Sequence, residues 1–261
     1  MNTKQCTEIT DNGMPLRQGD ILFFSMKGDS EKYGIVVTGD CDIVQKKCHG
    51  IISYCTVTTA KHYIASEILL DICNPEIDKL KVAVTKSVCN LLSAENSNTF
   101  LTTLLSQNSD YLRNLIKDER LMEKILLLKD ICSKSEFSLS DYKKLFFANN
   151  NKELDNDKLE KAKNRILSKL NSLPGDKYYI SELPNQNDSL GYIVHLRFIN
   201  TILEEDIMQQ RNLFRIGHLE APYLYKLTQK LGAVFSDIGE PTEFENERKI
   251  INTFIMEEFI K

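Results

Sequence analysis

Short apolar strings set between glycines and acidic turns dominate the first part of the chain. Gln18-Gly19-Asp20 leads into residues 21–24 (ILFF), residues 34–38 form a β-branched run closed by Gly39-Asp40, and Gly50 opens residues 51–58 (IISYCTVT). Strings of this length between turn residues predict strands, and their spacing predicts a small barrel or sandwich rather than alternating βα units. The period then changes. Leu121, Met122, Ile125, Leu128 and Cys132 recur at helical spacing, as do Leu159, Ala162, Ile166 and Leu170, and Ser138 or Ser140 is placed to cap a helix over residues 142–147. Residues 149–153 read as a polar linker. Strands are expected again at residues 178–184 (YYISELP) and 191–199 (GYIVHLRFI). The end reads as helical. Pro222 suits a first turn, an apolar stripe runs from Leu224 to Ile238, Gly239 and Pro241 stop it, and a last helix is expected over residues 246–259.

The pattern predicts an α+β protein in which a β-barrel is interrupted by helices. The first part of the barrel is expected in residues 1–85, a helical insertion in 86–175, the remaining barrel strands in 176–205 and C-terminal helices in 206–261. An insertion explains why strands stop and resume, since edges left unpaired are a liability.

Composition changes this picture little. At 261 residues, 42% hydrophobic and 27% charged, the chain can bury a real core. No apolar run approaches a membrane span, and the polar first residues have no apolar signal core. Seven cysteines, an odd number, favour reduced thiols and a cytoplasmic protein over a disulfide framework. A net charge of −4 argues against coating nucleic acid by bulk electrostatics but leaves a local basic groove open.

In order and character, the strings GDILFF, KYGIVVTGD, GIISYCTVTT, YYISELP and GYIVHLRFINTI resemble the strands of the PemK/MazF-like toxin barrels, which are SH3-like. The resemblance covers less than half of the chain. It implies a component of a bacterial toxin or antiviral defence system that acts on or binds nucleic acid, RNA in particular. The family cleaves RNA with an Arg just before its second strand and a Ser or Thr ending its third. Here Lys32 and Thr58 stand at those positions, and His195 and Arg197 replace the polar string of the last strand. Lys32, Thr58 and His195 are therefore the catalytic candidates, with Lys32 and Arg197 as phosphate contacts. Lys neutralises a phosphate without the bidentate fork of Arg, so the fold is better supported than the catalysis. The alternative is a non-catalytic adaptor or regulatory subunit that docks a partner protein of the same system. The bland alternative treats Lys32 and Arg197 as solvated strand-edge charges and Thr58 as a β-former. The expected partners are a protein of the same operon and RNA or single-stranded DNA, with no membrane and no cofactor; self-association is left open. The C-terminal stretch RIGHLEAPYLYK resembles the final helix of bacterial proteins of mobile defence operons, with His218 read as a surface or interface histidine.

The stretch GDCDIVQKKCHG holds the metal candidates Asp40, Cys41, Asp42, Cys48 and His49, with Cys55 and His62 beyond it. Structural zinc prefers cysteines two to four residues apart, and none here are so placed, so buried thiols compete with a zinc site. Flanking acids oppose a Cys41 thiolate, and aspartates that fix a turn compete with a divalent-cation site.

Overall fold

The computed structural model describes residues 5–8, 15–25, 32–92, 98–186, 190–209, 213–236 and 250–251. The protein is α+β, and the chain divides into two units, residues 1–57 with 174–261, and Thr58–Leu173.

The first unit is a curled antiparallel sheet of seven strands, β1 (Cys6–Glu8), β2 (Asp20–Phe24), β3 (Lys32–Val36), β4 (Ile51–Thr59), β5 (Lys177–Ile180), β6 (Tyr192–Leu203) and β7 (Leu213–Leu219). Their order is β1-β7-β2-β3-β4-β6-β5. Both faces are buried. Ile21, Tyr33, Ile35, Cys55, Val57, Val194 and Leu196 join one core cluster, while Leu22, Val36 and Ile52 join a second. Neighbouring residues of a strand point to opposite faces, so burial on both sides explains runs such as ILFF in place of a strict alternation. The first cluster is covered by α10 (Ala221–Ser236) through Leu224, Leu227 and Val234. The second receives Ile43 from α1 (Asp40–Val44) and Ile207 from α9 (Glu204–Gln209). Tyr192, Val194 and Leu196 face the first cluster but Ile202 packs on the second, so β6 changes face between Leu196 and Ile202.

Side chains bridge the two ends of the sheet. Gln5, just before β1, accepts at Oε1 from the N–H of Ser181 at 2.6 Å and from its hydroxyl at 2.9 Å. Asn185 Nδ2 donates to Glu8 Oε1 at 2.6 Å. A Cβ on Gly217 of β7 would stand 2.5 Å from Pro184, so this approach requires a glycine.

The second unit is helical. Ala60–Tyr63 (α2) runs through a π-helical turn, Ile64–Ile68, into α3 (Leu69–Leu92). Then come α4 (Asn98–Ser106), α5 (Ser109–Leu115), α6 (Glu119–Cys132), α7 (Leu139–Asn150) and α8 (Asn156–Asn171). Helix α3 packs on α6 and α7 and buries Ile72, Cys73, Ile77, Leu80, Val84 and Val88. Ser138 caps α7 in a reciprocal box with Asp141. Burial alone would raise the Asp141 carboxyl, but hydrogen bonds from Lys134 and Ser138 outweigh it and hold the group below its ordinary range.

Two sequence expectations are corrected. Strands do not continue to residue 85, because helix begins at Ala60 and runs to Leu92. Ala60, Tyr63, Ile68, Leu69, Ile72, Cys73, Ile77 and Leu80 form one buried helical stripe, with the π-turn shifting its phase. Residues 206–261 are not all helical either, since β7 lies among them and pairs with both β1 and β2. Helix α10 carries Pro222 in its first turn as expected. Gly239, Pro241 and, apart from 250–251, the helix expected over 246–259 lie outside the described residues. No helix among the described residues is long and apolar enough to cross a membrane.

Candidate functional site

Lys32 is the first residue of β3, opposite Phe24 of β2, and its side chain is exposed. Thr58 lies near the end of β4 and is half-buried. Arg197 on β6 is 61% exposed, with its Nε 3.7 Å from Asp176. His195 differs, being only 4% exposed. It is the register partner of Lys177 on β5, whose Nζ lies 2.9 Å from its Nδ1. An ammonium only donates, so Nδ1 is the acceptor of this bond and a neutral ring carries its proton on Nε2. The imidazole stacks on Phe198 at 5.3 Å and 9° between planes, and the Lys177 ammonium lies 5.3 Å from the same ring. His195, Lys177 and Phe198 thus form one buried-to-surface group. Lys177 lies one residue before the expected strand 178–184, and the roles of Lys177 and Phe198 beside His195 emerge only from the β5–β6 register.

The GDCDIVQKKCHG stretch forms α1 and a turn whose backbone is left-handed at Lys46, His49 and Gly50. Asp40 does not bond its own turn: its Oδ1 accepts from the N–H of Gln18 at 2.7 Å and ties α1 to the turn before β2. The N-cap, Gly39, receives no side-chain bond, and Asp40 and Asp42 sit in the first turn, where negative charge complements the backbone amides. Cys41 and His49 are exposed, Cys48 is half-buried, and Cys55 is buried on β4. Burial pushes the Cys55 thiol up to about 12, which removes it as a nucleophile near neutrality. His62, in the helical unit, meets Glu136 at 2.6 Å. Among the described residues no three His, Cys, Asp or Glu side chains are grouped to hold a metal ion.

The structure adds a polar centre that sequence reasoning missed. Asp20, fully buried at the start of β2, accepts at Oδ2 from the Arg17 N–H at 2.8 Å and from Arg215 Nη2 at 3.0 Å. Its Oδ1 lies 3.0 Å from His218 Nδ1. Arg215 also donates to the carbonyl of Pro15 at 3.3 Å. His218 is therefore a half-buried strand residue on β7 and not a surface histidine before a helix. Burying a carboxylate demands such partners, and the cluster locks the 17–20 turn to β7. Gly19 has φ +91°, a conformation that favours glycine, and a Cβ there would also stand close to Leu224 at 3.1 Å and His218 at 3.2 Å. Neither Gly19-Asp20 nor Arg215-Ile216-Gly217-His218 signals this alone, because the charges meet only after β2 and β7 pair.

No family model matches the chain, and neither a curated protein nor a solved structure does.

Proposed function

We propose that this protein is a non-catalytic binding module, an adaptor or regulatory subunit that docks a protein partner. Its setting is the kind of bacterial toxin or antiviral system whose PemK/MazF-like, SH3-like barrels its strand strings resemble. The observation that carries this reading is the burial of His195. The residue expected to move protons is 4% exposed, bonded to Lys177 and stacked on Phe198. A general base must reach the proton it takes, directly or through one water. The position expected to carry the family's arginine is Lys32. Large apolar side chains, by contrast, lie open on the sheet: Phe198 is 56% exposed and Leu203 44%. Exposed apolar surface of this kind marks interaction sites.

Purified protein incubated with labelled RNA at low salt, with and without Mg²⁺, is expected to leave the strand intact. Cleavage by the wild type that is lost in His195→Gln would overturn the reading. A second reading, nucleic-acid contact without cleavage, is favoured by the exposure of Lys32 and Arg197. It requires salt-sensitive RNA binding that weakens when both are changed to Gln.

A further inference from the structure

Strand β5 covers only residues 192–195 of β6, and the N–H of Leu196 still donates to the carbonyl of Asp176 at 2.9 Å. Beyond that point β6 has β4 on one flank, and among the described residues no strand lies on the other. The open stretch, residues 198–203, reads FINTIL and contains no charge and no proline. Phe198, Ile199 and Leu203 are exposed along it. Natural edges of this length are blunted by Lys or Pro, and one without either is a template for another strand.

Charge indicates which strand. Arg197 stands at the start of the open stretch, and Glu204, Glu205 and Asp206 follow its end in the first turn of α9. A segment that is basic at one end, acidic at the other and uncharged between is complementary to itself when it pairs antiparallel. A two-fold axis near Asn200 and Thr201 brings Arg197 of each copy towards the acidic end of the other. We propose that residues 198–203 are a dimerisation edge, whose partner is a second copy of this chain paired antiparallel. This rests on the binding-module reading and names a partner for it. Six-residue edges bury less than the ~1,600 Å² of a standard stable interface, so the dimer is concentration-dependent, with a dissociation constant on the order of micromolar or weaker.

Sedimentation of the full chain across a concentration series tests the proposal. The wild type is expected to pass from monomer to dimer. Arg197→Glu alone, and Glu204→Lys with Glu205→Lys, should each weaken the dimer at least tenfold, because each leaves like charges facing. An equimolar mixture of the two variants should form a heterodimer at least as tight as the wild-type dimer. A wild type that stays monomeric throughout overturns the proposal, and so does a dimer indifferent to both charge reversals. Should a reversed variant fail to fold by circular dichroism, Arg197→Gln and Glu205→Gln serve in its place, each with a smaller weakening expected. RNA cleavage measured on the same samples reports separately on the binding-module reading, so the two can fail independently.

Discussion

The two halves of β6 are made of similar residues and live in different surroundings. Residues 192–196 (YIVHL) are buried without exception, and residues 197–203 (RFINTIL) are exposed throughout except for the half-buried Ile202. The first half has β5 on its outer flank and contributes to the core cluster beneath α10. The second half has neither, although its residue types are no less suited to a core. Burial is decided here by what neighbouring segments cover. A strand that keeps Phe, Ile and Leu beyond its cover presents apolar surface that the described residues leave largely exposed.

The largest expected effect comes from breaking the covered half. Tyr192→Ala removes a ring that is 1% exposed and lies edge-on to Tyr33 at 5.6 Å. A loss of about 3–5 kcal/mol is expected, as for other large buried aromatics, read from the midpoint of urea unfolding. A smaller effect comes from titrating that cluster. Cys55, on the neighbouring strand β4, faces it, and burial raises its thiol from 9.0 to about 12. A folded-state value above the unfolded one contributes stability that is fully present below pH ~9 and lost as pH rises towards 12. Cys55→Ala lowers stability at neutral pH through the lost packing, but its further loss between pH 9 and 11 should be shallower than that of the wild type. Thermal melts across that range decide it, and parallel curves would contradict the assignment. The smallest effect belongs to the uncovered half. Ile199→Thr, at a position 38% exposed, should change monomer stability by no more than about 0.5 kcal/mol, measured by urea unfolding at a concentration too low for self-association.

The same contrast accounts for what could be read in advance. Strands β2 to β6 and helices α6, α7 and α10 announce themselves in local pattern, because turn glycines, β-branched strings and helical stripes are properties of neighbouring residues. A serine cap at Ser138 or Ser140 was legible, and the structure places it at Ser138, because the acceptor role lies within its own helix turn. Strand β7 was not legible. It carries Arg215 and His218, two polar residues that both reach Asp20 at the far end of the chain. Helix over residues 60–85 was not legible because the π-turn at Ile64–Ile68 shifts the phase of the apolar stripe and Pro75 interrupts the helical signal. At the candidate site, Lys32 and Arg197 are exposed, as their charge alone suggests, while the burial of His195 by Lys177 and Phe198 requires the β5–β6 register. No local signal reports that register.

The pairing of β2 with β7 also has a consequence in time. Asp20 and His218 touch although they lie 198 positions apart, so this part of the sheet cannot form until nearly the whole chain has left the ribosome. At ~5–20 residues per second, β2 waits roughly 10–40 s for its partner. During that interval Thr58–Leu173, whose contacts are all drawn from one continuous stretch, can complete its helices. The early strands β2 and β4, on either side of β3, meanwhile expose the edges that β7 and β6 will later cover. The strand order itself thus fixes an interval of synthesis in which these edges are open to other chains.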